Sequence, residues 1–214
     1  MKLSMGKKWV LRRQEGFTLV NIAGLVVSSG IAMGVAVQGT DIISDVQKGQ
    51  FYEDLRVMEN HVWEHKERLG YWPGDCNHDG LIGFKPQAAQ KQLPAGGAGK
   101  SCASGSQEDQ LTAFADMRAA GVVDQDVSLQ ELEHHSQEGS FSIGYGLVQN
   151  KKSNVIVAYN VPADIAKWVD MSVDGGVDGR QGRVRRWDQS QDGSNWSVKG
   201  QKTVSLAYYF ERKI

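Results

Sequence analysis

The stretch FTLVNIAGLVVSSGIAMGVAVQGT, residues 17–40, contains no charged side chain in 24 consecutive positions. As an α-helix it would extend about 36 Å, which exceeds the hydrocarbon thickness of a bilayer, about 30 Å. Its polar residues and glycines are compatible with a membrane, because a helix satisfies its own backbone hydrogen bonds. A helix buried in a soluble core is the alternative, although such helices seldom run this long without a charge. The stretch therefore predicts a membrane-spanning helix.

Charge is distributed unevenly around this stretch. Residues 1–16 carry five cations and one anion, whereas the whole chain has a formal net charge of −1. The positive-inside rule then places the N-terminus in the cytosol and the residues after 40 outside, as in a single-pass inner-membrane protein. The small net charge gives no reason to expect nucleic acid as a partner. The charged residues before the stretch are Lys2, Lys7, Lys8, Arg12, Arg13 and Glu15.

The basic segment ends at Gly16, and Phe17 opens the apolar helix. Glycine gives a protease close access to the backbone because it has no Cβ. A cut after Gly16 would remove the cations and keep the apolar segment, whereas a conventional signal is cut after its apolar region and discarded. We therefore expect residues 1–16 to be a leader and residues 17–40 to have a use in the mature protein.

Gly16-Phe17-Thr18-Leu19-Val20 after a short basic leader resembles the processing site of type IV pilins and related pseudopilins. The resemblance implies that a prepilin peptidase cleaves between Gly16 and Phe17 and that Phe17 is N-methylated. It also implies a helix that anchors in the inner membrane and later forms the core of a periplasmic or extracellular filament. The implied partners are other pilin subunits and an inner-membrane assembly platform.

Asn21 departs from the family pattern, in which most pilins carry glutamate at this position. In the family that carboxylate is thought to pair with the N-terminal amine of a neighbouring subunit, and a charge pair in an apolar core would set the register. Asn21 can accept a hydrogen bond but carries no charge. This favours a minor, initiating or tip subunit over a major one, while a tolerated polar residue in a membrane helix is the alternative.

After Thr40 the pattern becomes amphipathic, with apolar residues at helical spacing and no proline before Pro73. Gly70 is a suitable stop, so we expect one helix over 17–69 and an exported head over 70–214. The outer half of the helix should place one apolar stripe on the head. The residues of this pattern are Ile42, Ile43, Val46, Phe51, Leu55, Val57, Met58, Val62, Trp63 and Leu69.

The head shows short helical and alternating segments. Residues 108–120 and a helix opened by Pro162 have helical spacing, whereas 141–148, 154–159 and 203–210 alternate as strands do. Residues 150–153 should form the hairpin loop between the first two strands. Together these patterns predict an α+β fold in which a long helix packs on a small antiparallel sheet, a layout that the pilin resemblance also implies.

Two loops rich in aspartate and glycine are candidates for a structural calcium site. Asp75, Asn77 and Asp79 alternate before Gly80, as in the first half of an EF-hand loop, with the Leu81 carbonyl as the backbone ligand. The glutamate that would complete an EF-hand is absent, because Pro86 stands there. Asp174 and Asp178 in the second loop would supply further oxygens. The alternative is a pair of tight Asp/Gly turns that need no metal.

Cysteine and histidine patterns give two more hypotheses. Cys76 and Cys102 follow the apolar segment, and an oxidising compartment would favour a disulfide between them. Residues 61–65 match the zinc-protease pattern H-x-x-E-H, but no third ligand is marked, and His134 and His135 are candidates by residue type alone. The match is more simply a charged helix face. The chain shows no nucleophile–base pattern, so we predict no catalytic residues and no enzymatic activity.

A basic run near the C-terminus consists of Arg180, Arg183, Arg185 and Arg186 beside Trp187, with Trp196 nearby. One interpretation is a contact surface for a neighbouring subunit, an anionic surface or nucleic acid, and the alternative is a solvated strand or loop balanced by acidic neighbours.

These observations leave three functional hypotheses. The first is a minor pilin of a type IV pilus system, with a pseudopilin of a type II secretion system as its alternative within the same class. The second is a secreted or membrane-tethered enzyme with a conventional signal processed between Ala32 and Ala36. The third is a calcium-binding adhesive module displayed on a filament.

Overall fold

The computed structural model describes residues 19–83, 86, 102, 113–187, 196 and 202–211, and for residues 19–41 it describes the backbone alone. The chain divides into two compact units, Met1–Ser44 and Asp45–Ile214. The second unit has an α+β architecture with an antiparallel sheet, as the sequence predicted.

Helix α1 runs over Leu19–Leu69 and ends where the sequence predicted. Gly70 adopts φ +86°, a left-handed conformation that glycine tolerates best, and its N–H donates to the Lys66 carbonyl at 2.8 Å. The buried stripe is narrower than predicted, because exposed apolar residues occupy other faces of the helix. The buried members are Phe51, Leu55, Met58 and Val62, and the exposed ones are Ile42, Ile43, Val46, Val57 and Leu69.

Three shorter helices lie in the described part of the head. Helix α2 covers Ala113–Ala119, α3 covers Leu129–Glu133 and α4 covers Ala163–Asp174. As predicted, Pro162 opens α4, since its fixed φ suits a helix start. Gly175 closes α4 at φ +73°, and its N–H donates to the Met171 carbonyl at 3.0 Å.

The sheet has five antiparallel strands in the order β1-β2-β3-β5-β4. The three predicted strands are present as β2, β3 and β5, and two short strands were not predicted. A register shift between Ala158 and Val161 interrupts the pairing of β3 with β5. The strands are β1 His134–His135, β2 Gly139–Val148, β3 Lys151–Pro162, β4 Val184–Arg186 and β5 Thr203–Tyr208.

The hairpin between β2 and β3 is tighter than the predicted loop over 150–153. Val148 pairs directly with Lys151, which leaves Gln149 and Asn150 as a two-residue turn. Both have positive φ, +49° and +63°. Such turns match the right-handed twist of the flanking strands, whereas a longer loop would interrupt the pairing.

Both faces of the central strand β3 are buried. Ile156 and Ala158 belong to the main core, which also contains Phe51 of α1 and Ile165 of α4. Residues 155, 157 and 159 point to the opposite face, where they pack with Ala207 of β5 and with Tyr209, which follows β5. The continuous apolar run of β3 follows from this burial on two sides.

Candidate functional site

The predicted processing residues lie outside the described residues, and the predicted assembly residue is described only in part. Gly16 and Phe17 precede them, and of Asn21 only the backbone is described, within α1. Among the described residues, no helix has the length and apolar character needed to cross a membrane. The side chains of the predicted span, 17–40, lie outside the described part of the chain.

The first aspartate loop brings its predicted ligands together in one turn. Asp75 is 1% exposed, and its two carboxylate oxygens accept the N–H groups of Asp79 at 3.1 Å and Gly80 at 3.0 Å. The Asn77 side chain also accepts the Asp79 N–H, at 2.8 Å. Asp79 in turn accepts the Leu81 N–H at 2.8 Å. These are the bonds by which Asx turns satisfy their own backbone.

The second loop is built in the same way. Asp174 accepts the N–H groups of Arg183 at 3.0 Å and Val184 at 2.8 Å, which holds the start of β4 against the end of α4. Asp178 accepts the Arg180 N–H at 3.1 Å. Asp170, which the sequence did not single out as a ligand, accepts the indole N–H of Trp196 at 2.6 Å.

The two loops do not combine into one acidic cluster among the described residues. There, the only three His, Cys, Asp or Glu side chains with ligand atoms within 4.8 Å of one another are Cys76, Cys102 and Asp116. The sulfur atoms of Cys76 and Cys102 form a disulfide bond of 2.07 Å, so neither residue offers a thiolate to a metal. Turn formation thus accounts for the described carboxylate bonds, and a calcium site remains a prediction.

Asp116 connects the disulfide to the loop that follows α1. It is 3% exposed and accepts the N–H groups of Gly74 at 2.8 Å and Cys102 at 2.6 Å. Burial raises the pKa of this carboxyl, and the two backbone hydrogen bonds oppose that rise. Sequence reasoning missed Asp116, because nothing in the helical pattern around it indicates partners 14 and 42 positions away.

The histidines of the H-x-x-E-H pattern are not joined by a third ligand within the described part of the chain. His65 is fully buried, with Nδ1 at 3.2 Å from the Tyr71 carbonyl. Glu64 pairs with Arg68 on the next turn of the helix. Burial lowers the pKa of both His61 and His65, so both tend to be neutral. His135, a suggested third ligand, instead lies 2.8 Å from the Tyr159 carbonyl through Nε2.

The basic run is solvated only in part: Arg180 is exposed, Arg183 and Arg185 are partly buried, and Arg186 is buried. The predicted balance by acidic neighbours holds for Arg183, which pairs with Glu59. Arg183 donates to the Tyr208 hydroxyl at 2.7 Å and to the Tyr209 carbonyl at 3.1 Å. Arg185 donates to the Gly182 carbonyl at 2.7 Å. Arg186 is 4% exposed. The Arg183 contacts join the residue before β4 to the end of β5, whereas the Arg185 contact is local.

Glu59 of α1 is the centre of a charged network that sequence reasoning also missed. Its carboxylate accepts the Tyr208 hydroxyl at 2.9 Å and pairs with Arg56 at 2.6 Å and with Arg183 at 3.5 Å. Burial, and next the charge of Glu59, raise the pKa of Tyr208 to about 12. The network therefore holds a neutral Tyr208 against a charged Glu59 and ties α1 to β5.

No protein-family model, no curated protein and no solved structure matches this chain. Only the residues of the chain itself therefore bear on its function.

Proposed function

We propose that this protein is a filament subunit of the type IV pilin kind, specifically a minor subunit, processed by a prepilin peptidase between Gly16 and Phe17. The observation that carries the proposal is the order of basic leader, Gly16 and uncharged segment 17–40. Cleavage at this junction removes the leader and retains the apolar helix. The retained helix anchors the subunit in the inner membrane, with the head outside, and later packs in the core of a filament.

The described head supports this proposal without being specific to it. Helix α1 lays one face, including Leu55 and Val62, in the core of an α+β unit. Another face leaves Val46 and Val57 exposed, at 52% and 48%. These two exposed valines are available for packing against other subunits, and the exposed Glu53 lies between them on the same side of the helix.

The replacement of the family glutamate by Asn21 supports a minor rather than a major subunit. An amide can accept a hydrogen bond from a neighbour's N-terminal amine, but it cannot form the ion pair that would set the register of a long polymer. A pseudopilin of a type II secretion system is the alternative within this class, and the genes beside this one would separate the two.

Mass spectrometry of the native N-terminus tests the proposal. We expect a mature chain that begins at Phe17 and carries one N-methyl group. A chain that begins beyond Gly34 would instead indicate a conventional signal and ordinary secretion. Gly16→Val should keep the leader attached, whereas Gly6→Val, a matched change within the leader, should be processed normally.

A structural calcium ion in the first aspartate loop is a second part of the proposal. The oxygens of Asp75, Asn77 and Asp79 meet in one short turn, and hard oxygen ligands suit calcium. Added calcium should then raise the melting temperature, and Asp79→Asn should abolish that rise. Asp124→Asn is the matched control, because Asp124 accepts the Asp126 N–H in a similar turn elsewhere. A melting temperature that is independent of calcium would leave only the Asp/Gly turns.

A further inference from the structure

A groove of about 760 Å³ opens between one face of α1 and the residues that follow β5. It lies within the unit Asp45–Ile214. Its volume falls in the range of small-molecule sites, roughly 300–1,000 Å³. We call it the α1 groove, and the residues that matter for its chemistry are Asn60, Trp63, Lys66, Trp72, Phe210 and Glu211.

Three aromatic rings form the fixed apolar part of the α1 groove. Trp63 packs against Trp72 with ring centroids 4.9 Å apart, and Trp72 packs against Phe210 at 5.3 Å, both edge to face. Trp72 and Phe210 are almost fully buried, whereas Trp63 is only partly buried. The groove therefore offers essentially one indole to a ligand, held in place by the two rings behind it.

Lys66 supplies a cation with spare hydrogen-bonding capacity. Its Nζ lies 3.6 Å from the Trp72 ring centroid and 5.4 Å from that of Trp63. Among the described residues no carboxylate pairs with it. An ammonium has three donors, and resting on a π face satisfies its charge only in part. An anionic group bound beside Trp63 would accept hydrogen bonds from the Lys66 ammonium.

The remaining polar groups of the groove restrict that ligand. Glu59 accepts the Tyr208 hydroxyl and pairs with Arg56 and Arg183, so its carboxylate is already used within the protein. Glu211 accepts the Asn154 amide at 2.9 Å through one oxygen, and in the described structure its other oxygen has no partner. The Asn60 side chain is exposed and likewise makes no bond with described residues. The groove thus offers a free acceptor and a free amide.

We propose that the α1 groove binds an acidic saccharide, a sugar ring that carries one carboxylate. The apolar face of the ring lies on Trp63, the carboxylate meets Lys66, and hydroxyl groups bond to Asn60 and Glu211. A neutral sugar would leave the Lys66 ammonium without an anionic partner in the groove. A peptide would find only one indole of apolar surface. This inference is independent of the proposed filament.

The test uses the full-length protein in a zwitterionic detergent, so that no glycoside detergent competes. Saturation-transfer NMR with D-glucuronate and D-glucose as probes reports binding, and titration gives the Kd. We expect glucuronate to bind and glucose to bind at least tenfold more weakly, since a charge-assisted hydrogen bond has a free energy of about 1.5–3 kcal/mol. Sodium acetate at equal ionic strength should not displace glucuronate.

Three variants locate the binding site. Lys66→Gln should weaken glucuronate binding about tenfold or more and leave the residual glucose signal unchanged. Asn60→Ala should weaken both sugars by roughly fivefold, the loss expected for one neutral hydrogen bond. Lys152→Gln is the matched control, because Lys152 also lies over a ring, that of Tyr145 at 4.8 Å, but away from the groove. Lys152→Gln should leave the Kd of both sugars unchanged.

Several outcomes would overturn the proposal. Equal binding of glucuronate and glucose, no signal from either sugar, or equal losses in Lys66→Gln and Lys152→Gln would each do so. Displacement of glucuronate by an acidic peptide at lower concentration would assign the groove to a protein partner instead. Urea denaturation of each variant shows whether it is folded. If Lys66→Gln does not fold, Asn60→Ala still tests the site, because Asn60 is exposed and has no partners among the described residues.

Discussion

Glu59 shows how a single carboxylate can hold distant parts of the chain together. It belongs to α1, yet two of its partners, Arg183 and Tyr208, lie 124 and 149 positions later. The carboxylate is buried, and a buried hydrogen-bonded charge is costly to leave without its partners. Because Arg56 and Arg183 remain partly exposed, water can screen their charges if the carboxylate is removed.

We therefore expect Glu59→Gln to lower the free energy of unfolding by about 2 kcal/mol, since Gln keeps the size of the side chain but loses its charge-assisted bonds. Urea denaturation followed by tryptophan fluorescence measures the change. Glu53→Gln is the matched control, because Glu53 is exposed on the same helix. Equal small effects of both substitutions would show that the network does not stabilise the fold.

Glu133, at the end of α3, predicts a pH effect of defined sign. It is 8% exposed, and burial raises its pKa from the ordinary 4.5 to about 7, although the charge of His134 opposes the rise. Between about pH 4.5 and 7 the folded state binds this proton more tightly than the unfolded state, so the free energy of unfolding falls as the pH rises. Below this window Glu133 is protonated in both states and does not change the free energy of unfolding. Above the window Glu133 lowers the free energy of unfolding by its full amount.

Glu133→Gln should remove that loss, because a neutral amide replaces the buried charge. We expect the variant to be more stable than the native chain by about 3 kcal/mol at pH 8 and equally stable at pH 4, since one pKa unit corresponds to about 1.4 kcal/mol. Buried His135, whose lowered pKa acts in the opposite direction, is common to both proteins and cancels. Glu131→Gln, a change at an exposed position of the same helix, should leave the dependence of the free energy of unfolding on pH unchanged. If this dependence had the same shape in the native chain and in Glu133→Gln, the prediction would be wrong.

Among the elements, the β2–β3 hairpin carries measurable backbone strain. Gln149 has φ +49°, a left-handed conformation that costs a residue with a Cβ roughly 1–2 kcal/mol. Gln149→Gly removes that cost but makes the unfolded chain more flexible by about 0.4–1 kcal/mol. We expect a net gain of about 0.5–1 kcal/mol in the free energy of unfolding, measured by urea denaturation.

Gln149→Ala is the control for the hairpin, since it removes the same side chain but keeps the Cβ. It should give no gain. If Ala stabilised the protein as much as Gly, the side chain of Gln149 rather than its backbone conformation would be the source of the effect.

Local patterns predicted most elements of the head. The end of α1 at Gly70, the start of α4 at Pro162 and three of the five strands follow from glycine, proline and alternation, which act over a few residues. Strands β1 and β4 were missed because they have two and three residues, too few to show a period. Their positions depend on pairing with β2 and β5.

The charged contacts were harder to predict than the elements. The arginines around Arg183 looked solvated because four cations stand close together, yet Asp174, Glu59 and Tyr208 surround Arg183 in the fold. Asp116 and Glu59 looked like ordinary polar positions of amphipathic helices. Their partners are set by tertiary packing, and one sequence contains no signal for such distant pairs.

Considered as a whole molecule, the protein has a long helix with apolar residues on two opposite sides, one of which is buried and the other exposed. On a helical projection of 100° per residue, Val46 and Val57 lie on nearly the same line, and Leu55 and Val62 lie on roughly the opposite side. The second pair is buried in the head, whereas the first is exposed. Burial in the head thus explains one face, and the proposed filament gives a use to the other.

Val46→Asp should separate folding from assembly. We expect the free energy of unfolding to change by less than about 0.5 kcal/mol, as for other exposed positions, whereas Val62→Ala should lower it by about 2 kcal/mol by leaving a cavity in the core. In cells, the share of the protein recovered in sheared filaments should fall for Val46→Asp, because a carboxylate would be buried between subunits without a partner. Gln47→Asp adds the same charge one position away, on the flank of the helix, and should leave that share unchanged. Equal recovery of Val46→Asp and the native chain would mean that this face stays in solvent, and the proposed packing of α1 between subunits would then be wrong for the part of the helix beside the head.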